Sequence, residues 1–170
     1  MVVRPATPAD VQRVAEVHVR SWQIGYRGLV PADYLAALRP EDRAKRYNFD
    51  DPEPGQPTTL VAVKDGTVIG FVTTGAYNGG DAEGAGEIKA LYVDPSHWGT
   101  GAGRALIVAG RTRLVDQGFC QAVLWLLAGN QGAERFYRID GWVHDGSRRV
   151  DEVWGLKLEQ LRYKRALRDR

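Results

Sequence analysis

The sequence has little cysteine, no metal-ligand spacing and no long apolar run. Cys120 is the only cysteine in 170 residues, which excludes an intrachain disulfide. Its position before an apolar segment predicts a buried, inert thiol. The histidines, His18, His97 and His144, are too scattered to suggest a metal site. No apolar signal region or membrane-length segment occurs, so we expect a cytoplasmic protein with no metal and no membrane association.

Excess charge of either sign is also missing. The 23 Lys and Arg residues against 21 Asp and Glu residues leave a net charge of +2, which gives no electrostatic case for nucleic acid as a partner. The length of 170 residues suits one domain with a substantial core. The proline-rich segment Asp51–Pro57 could pass for a linker, but the short elements predicted before it cannot close a separate core. We therefore expect a single domain over residues 1–170.

The stretch from Leu91 to Leu106 carries the clearest chemical signal. An apolar strand, Ile88–Val93, precedes a glycine-rich turn, Gly99–Gly103, and a helix follows at once. Glycine allows tight turns and close approach of a ligand to the backbone. The first N–H groups of a helix have no internal partner and carry partial positive charge. A phosphate or pyrophosphate is therefore the expected ligand, and Arg104 would add a full charge.

Two common phosphate-binding motifs are absent from this turn. The dinucleotide fingerprint requires a third glycine, but Leu106 and Ile107 occupy its two candidate positions. The phosphate loop of NTPases requires a Gly-Lys pair, and the chain contains none. On the residues alone, a helix entry without a ligand remains an alternative.

Two segments carry a resemblance to a known family. The turn Trp98–Gly103 resembles motif A of the GNAT acyltransferases, Gln/Arg-x-x-Gly-x-Gly/Ala, which binds the pyrophosphate of acetyl-CoA; Trp98 departs from the usual Gln or Arg. The segment Asn130–Trp142 is similar to motif B of that family. Its matching residues are Asn130, Ala133, Phe136, Tyr137, Gly141 and Trp142. Two motifs in the right order and spacing identify the chain as a member of the GNAT family.

The resemblance covers nearly the whole chain and implies the fold of that family, an α/β fold with a mixed, mostly antiparallel sheet and helices on both faces. A hairpin is predicted at Asp65-Gly66, and the apolar run Ala122–Leu127 predicts a strand buried on both faces. Trp142–His144 and Val150–Trp154 are predicted as separate strand pieces. The basic tail, with Arg162, Lys164, Arg165, Arg168 and Arg170, is predicted to guard a sheet edge.

The resemblance also implies a set of acetyl-CoA contacts. In the family, the strand before motif A splays from the next strand, and pantetheine fills the gap. Backbone groups of Leu91 and Val93 are implied to contact the acetyl and pantetheine amides. For Asn130 a pantetheine contact and a helix cap are both open. The expected cofactor-binding residues are Leu91, Tyr92, Val93, Trp98, Gly99, Thr100, Gly101, Ala102, Gly103, Arg104, Asn130, Ala133, Phe136 and Tyr137.

Acetyl transfer to an amine requires a base, an oxyanion donor and an acid, because an alkyl amine with a pKa of roughly 10 is mostly protonated at pH 7. The resemblance places Tyr137 beside the CoA sulfur as the acid; the alternative is a ring that only packs on the sheet. Glu87 is the candidate base, with a water relay or an exposed carboxylate as alternatives. Strand alternation places Glu87 on the face of Leu91 and Val93, unless a bulge intervenes.

The acceptor pocket is expected from the variable segments. Trp22, Tyr26, Tyr34 and Tyr77 could frame an amine by cation–π contact, the alternative being that they are core residues. The expected function is acetyl-CoA-dependent N-acetyl transfer to the primary amine of a small molecule or peptide, by direct attack in a ternary complex. A non-catalytic acyl-CoA sensor, a longer acyl donor and transfer to oxygen are alternatives. Dimers are frequent in the family, so a homodimer is open.

Overall fold

A computed structural model describes residues 1–50 and 53–168 and contains seven strands and five α-helices within them. The strands are β1 Val2–Pro5, β2 Thr58–Lys64, β3 Thr67–Ala76, β4 Gly86–Val93, β5 Gln121–Leu127, β6 Val143–Val153 and β7 Leu156–Ala166. The helices are α1 Val11–Gly25, α2 Ala32–Ala37, α3 Pro40–Ala44, α4 Ala102–Asp116 and α5 Gln131–Ile139. Short 3₁₀ turns precede α1 and follow β4.

The seven strands form one sheet in the order β1-β2-β3-β4-β5-β7-β6. Every neighbouring pair is antiparallel except β4 and β5. The predicted hairpin joins β2 to β3 through Asp65 and Gly66, which both adopt positive φ. This φ combination matches the right-handed twist of the flanking strands. The predicted mixed, mostly antiparallel sheet is confirmed.

Helices cover both faces of the sheet. On one face Val14 and Val17 of α1 pack against Phe71 of β3 in a buried cluster. On the other face Leu106 and Ile107 of α4 belong to the largest core cluster, together with side chains of β3, β4, β5 and β7. The strand β5 is buried on both faces over most of its length, as its apolar run predicts.

The strands β4 and β5 separate after three pairs. Their parallel register joins Gly86, Glu87 and Ile88 to Ala122, Val123 and Leu124, and it ends there. From Lys89 onward β4 keeps only its antiparallel partner β3. A gap therefore opens between the two central strands and widens toward the end of β4, where the glycine turn begins.

Several local predictions are wrong. Cys120 is exposed rather than buried, because it lies in the link before β5 and not in the strand. The two strand pieces near the C-terminus are one strand, β6, interrupted by a register shift between His144 and Arg148. The predicted loop Asp51–Pro57 begins at two residues outside the described ones, and the rest of it forms no helix or strand.

The basic C-terminal segment does not guard an edge. It forms β7, which lies between β5 and β6, so β6 is the edge strand on that side. Arg162 is only 7% exposed and pairs with Asp145 and Asp81, each at 2.6 Å. Arg170, also assigned to that tail, lies outside the described residues.

Candidate active site

The backbone of β4 presents polar groups to the gap. The N–H of Asp94 donates to the Ile69 carbonyl at 2.7 Å, which is the direction of β3. Because successive residues of a strand turn their polar groups to opposite sides, Tyr92 also faces β3, whereas Leu91 and Val93 face the gap. Backbone groups in such a position require a partner from outside the sheet. The gap can therefore accept an extended ligand with amide groups.

The Val93 carbonyl at this edge has two partners within the protein. It accepts from the Trp98 indole nitrogen at 2.8 Å and from the Ser21 hydroxyl at 2.9 Å. These two bonds tie α1 and the glycine turn to the end of β4. Trp98 is 50% exposed, so the indole supports the turn from the protein surface. It does so although it differs from the usual residue of the motif.

The glycine turn leaves its backbone amides uncovered by side chains. Gly99 and Gly101 have φ values of +74° and +89°, and Gly101 is the N-cap of α4. Left-handed conformations of this kind are costly for residues with a Cβ. Thr100 stabilises the turn, because its hydroxyl donates to the His97 carbonyl at 2.6 Å. The first N–H groups of α4 have no partner within the helix, which is the chemistry that can bind an anion, and Arg104 is exposed beside them.

The helices α4 and α5 approach closely at the turn. Ala102 is buried, and a Cβ placed on Gly103 would lie 3.2 Å from the Phe136 ring. A side chain at this position would therefore require the Phe136 ring to shift by a few tenths of an ångström. At the start of α5, Asn130 caps the helix by accepting from the Ala133 N–H at 3.2 Å. The cap uses the amide oxygen only, so a ligand contact through the amide nitrogen is still compatible with it.

Three tyrosine hydroxyls cluster near the open end of β4. The Tyr92 hydroxyl lies 3.4 Å from that of Tyr26 and accepts from the Trp22 indole nitrogen at 3.2 Å. Burial, followed by the neighbouring Tyr92 and Asp140, raises the pKa of Tyr137 above its usual range. Burial and the nearby Tyr92 likewise raise the pKa of Tyr26. Tyr137 therefore retains its proton at neutral pH, the form that an acid requires.

A β-bulge in β4 decides which way Glu87 faces. Ile88 stands opposite Thr74 and Ala90 opposite Thr73, so Lys89 has no partner on β3. The bulge reverses the alternation. Glu87 consequently shares a face with Tyr92 and not with Leu91 and Val93, which is the exception that the alternation argument allows when a bulge intervenes.

Glu87 is partly buried and has a cationic neighbour. Its carboxylate lies 2.8 Å from the Lys89 ammonium, and its side chain is 14% exposed. It lies in the part of β4 that pairs with β5, at the opposite end of the strand from Val93. The structure thus places Glu87 on the face of the sheet that α1 covers, where its carboxylate forms an ion pair with Lys89.

The four aromatic candidates for the acceptor site divide into two groups. Trp22 and Tyr26 pack together, with ring centroids 4.7 Å apart, beside Tyr92. Tyr34 lies next to them and donates its hydroxyl proton to the Trp154 carbonyl. Tyr77 belongs to a separate cluster, where its hydroxyl donates to Asp81 at 3.2 Å and receives Arg162 at 3.4 Å.

Asp94 both shapes the turn after β4 and pairs with arginines of α1. It does accept from the backbone N–H of Ser96, but it is also 2% exposed and pairs with Arg13 at 3.0 Å and Arg20 at 3.2 Å. Burial raises its pKa, but Ser96 and the two arginines outweigh burial and lower the pKa to about 2. Its aspartate-proline sequence signals only the turn; the two arginines come from α1.

Among the residues that the structure describes, no group of three or more His, Cys, Asp or Glu side chains is arranged to hold a metal ion. Within the same residues, no helix is both long enough and apolar enough to cross a membrane.

Comparison with known proteins decides the family. The model of the Acetyltransferase (GNAT) family matches residues 17–142. The chain belongs to the GNAT acetyltransferase family. It is accordingly an acyltransferase, as the two motifs predict. The matched residues include the gap, the glycine turn and α5, so the elements described above are those of a GNAT protein.

Relatives in sequence carry acetyltransferase names. The N-acetyltransferase YuaI of Bacillus subtilis is 31% identical over 133 residues, which cover 76% of this chain and 73% of that protein. The mycothiol acetyltransferase of Kocuria rhizophila is 40% identical over 76 residues, 44% of this chain and 25% of that protein. The matched part of the chain thus spans only about a quarter of that longer mycothiol enzyme.

Solved structures share the fold. PaiA N-acetyltransferase from Thermoplasma acidophilum, in complex with coenzyme A, has a TM-score of 0.68 at 19% identity, covering 97% of this chain and 98% of that one. YncA from Salmonella typhimurium, with acetyl-CoA, has a TM-score of 0.68 at 21% identity, covering 100% and 95%. At these identities the likeness concerns the fold alone.

Proposed function

We propose that this GNAT protein is a single acetyltransferase domain that transfers an acetyl group from acetyl-CoA to a primary amine of a small molecule or peptide, by direct attack in a ternary complex. The observation that carries the proposal is the open edge of β4, which leads directly into the glycine turn at the N-terminus of α4. An amide-containing chain that ends in a pyrophosphate fits these two features together.

For acetyl-CoA binding, the amides of residues 99–104 receive the pyrophosphate. Pantetheine then runs along β4 toward Leu91, making the hydrogen bonds that β5 would make in a closed sheet. Asn130 adds an amide nitrogen from the start of α5, and Phe136 closes the space over Gly103. The thioester is thereby placed between the backbone of β4 and Tyr137.

For acetyl transfer, the backbone N–H groups facing the gap supply a donor for the developing oxyanion. Tyr137, which is 8% exposed and keeps its proton at neutral pH, donates to the departing thiolate. Glu87 lies on the Tyr92 face of the sheet and receives the proton of the acceptor amine, directly or through water. Trp22 and Tyr26 line the approach for the amine beside Tyr92.

The experiment combines binding with turnover. Purified protein is titrated with coenzyme A by calorimetry and is then assayed for release of CoA thiol with a panel of primary amines. Thiol release that depends on one class of amine supports the proposal. Tight binding of acetyl-CoA with no amine-dependent release across the panel would instead support an acyl-CoA sensor, and absence of coenzyme A binding would contradict both.

A further inference from the structure

An open cavity of about 290 Å³ lies away from the glycine turn, between α1, the short helices α2 and α3, and the turn that joins β6 to β7. The lining residues that carry charge or an aromatic ring are Tyr34, Arg39, Asp42, Arg43, Arg46 and Trp154. The cavity is therefore rich in guanidinium groups, and it lies on the α1 face of the sheet.

The charges around this cavity are unbalanced. Arg39, Arg43 and Arg46 form no ion pair with any residue in the described ranges 1–50 and 53–168. The one acidic side chain in the lining, Asp42, has its carboxylate 3.7 Å from Lys45. In a chain whose charges nearly cancel overall, with 23 basic and 21 acidic residues, three uncompensated cations around one small cavity create a local positive potential.

Arg43 is held in a fixed orientation. Its Nε donates to the His18 Nδ1 at 3.3 Å, and its guanidinium lies 4.3 Å from the centroid of the Trp154 ring. Burial, followed by the charge of Arg43, lowers the pKa of His18 well below its usual value, so the imidazole stays neutral and accepts this bond. These contacts use Nε and one face of the guanidinium. A side-chain hydrogen bond to Tyr47 uses part of the remaining donor capacity. The donors that are left belong to a planar guanidinium, the group that binds carboxylate and phosphate oxygens.

We propose that this cavity is a binding site for a small anion, a carboxylate or phosphate group, held by Arg39, Arg43 and Arg46 with the Trp154 ring as its wall. The volume is too small for a second coenzyme A and suits a group of a few heavy atoms. Neutral ligands can accept hydrogen bonds from the guanidinium groups but gain no charge attraction, so an anion is favoured.

The cavity adjoins the candidate active site through two aromatic rings. Trp154 stacks on Trp22 with ring centroids 4.3 Å apart, and the Trp22 indole nitrogen donates to the Tyr92 hydroxyl. Two sources can therefore supply the anion. It is either the acidic end of the acceptor amine or a separate anion that acts on the active site through Trp154 and Trp22.

The first experiment measures binding without turnover. Inorganic phosphate and succinate are titrated into the intact protein by calorimetry, and Arg39→Gln and Arg46→Gln are compared with Lys45→Gln. Lys45 is the matched control because it carries the same charge between these arginines but does not line the cavity. We expect Kd to rise at least tenfold in each arginine variant and less than twofold in the control. Absence of binding, or an equal loss in all three variants, overturns the proposal.

The second experiment assigns the source of the anion and rests on the proposed acetyl transfer. Thiol release is compared for paired amines that differ by one carboxylate, such as β-alanine and its amide. A preference for the acid that is lost in the Arg39→Gln and Arg46→Gln variants assigns the site to the acceptor. Equal use of both amines, with a rate that phosphate changes only in wild type, assigns it to a separate anion. Failure of every amine would count against the transferase alone, because the calorimetric result stands without it.

Arg43 is left unchanged in both experiments, since its contact with His18 makes a variant there prone to disturb the fold. Circular dichroism of Arg39→Gln and Arg46→Gln checks that any loss of binding is not caused by unfolding. A neutral variant that is folded and still binds phosphate as tightly as wild type would contradict a role for that arginine.

Discussion

The Trp98 indole nitrogen donates to the Val93 carbonyl at 2.8 Å. This bond joins the last residue of β4 to the first residue of the glycine turn motif, at a position where related proteins usually have Gln or Arg. The indole thus holds the turn through its N–H and its packing area, but unlike arginine it supplies no positive charge. In the proposed acetyl-CoA site, the charge for the pyrophosphate would consequently come from backbone amides and Arg104.

Removing the indole N–H tests this contact. We expect Trp98→Phe to raise the Kd for coenzyme A about fivefold, since one hydrogen bond contributes on the order of 1 kcal/mol and the turn is less well fixed without it. Trp98→Gln is the matched variant, because its side chain again offers an N–H. Calorimetry should rank the affinities as wild type, then Gln, then Phe; an unchanged Kd in Trp98→Phe would show that the contact does not support the turn.

The left-handed glycine at the N-cap of α4 offers a sharper test. Gly101 and Gly118 both have positive φ, +89° and +96°, and a Cβ would meet nothing within 4 Å at either. Alanine at each site should therefore lower the unfolding free energy by a similar amount, about 1–2 kcal/mol. Only Gly101→Ala should raise the Kd for coenzyme A, by tenfold or more. Equal affinity in the two variants would place the pyrophosphate elsewhere.

Tyr137→Phe should separate catalysis from binding. We expect kcat to fall about 100-fold, a typical effect for loss of a general acid, with the Kd for coenzyme A changed less than twofold. Tyr163→Phe is the control, because Tyr163 lies in the same core cluster but bonds to Glu134 outside the gap. An unperturbed phenol has a pKa of about 10, and the pKa of Tyr137 is raised above that value. We therefore expect Tyr137 to stay protonated, and wild-type kcat to show no decline from its deprotonation, up to about pH 9.

The ion pair of Glu87 and Lys89 allows the base to be tested against a structural role. Both Glu87→Gln and Lys89→Gln break the pair, but only the first removes a carboxylate. If Glu87 accepts the amine proton, steady-state assays should show kcat/KM about 100-fold lower in Glu87→Gln and nearly unchanged in Lys89→Gln. Similar losses in the two variants would mean that the pair only stabilises the bulge.

Asp94 predicts an acid-dependent loss of stability. Its pKa is lowered to about 2 in the folded protein, against about 3.9 in an unfolded chain. Its stabilising contribution, about 2–3 kcal/mol by linkage, is therefore complete above about pH 5 and is lost as the pH falls toward 2. Urea unfolding should show Asp94→Asn less stable than wild type at pH 7, with the difference shrinking toward pH 2. Asp116→Asn is the control, because the Asp116 side chain is exposed.

The sequence predicts local features of this fold better than pairings between distant segments. Apolar runs and turn residues located β2, β3, β4, β5, α4 and α5, because these signals depend on neighbours in the chain. The strand β6 was divided, since the middle of an edge strand can be polar throughout, as in Asp145–Arg149. The insertion of β7 between β5 and β6 has no local signal, so the sequence alone predicts its buried Arg162 to be an edge residue.

The candidate site shows the same division. The motifs located the glycine turn and Tyr137, but the bulge at Lys89 has no residue signature and reversed the face of Glu87. The cluster of Tyr26, Tyr92 and Tyr137 joins three elements that are far apart in the chain. The arginine cavity was missed for a related reason: Arg39, Arg43 and Arg46 are adjacent in sequence, but Trp154, which gives the cavity its wall, is not.

The position of β7 in the middle of the sheet sets an order for biosynthesis. While the ribosome has produced the chain only as far as β6, the strand β5 has an open edge and β6 has no partner at all, because both pair with β7. Two unsatisfied strands in a nascent chain invite association with other molecules. The two strands of the sheet beyond β5 can therefore pair only after residues 156–166 leave the exit tunnel.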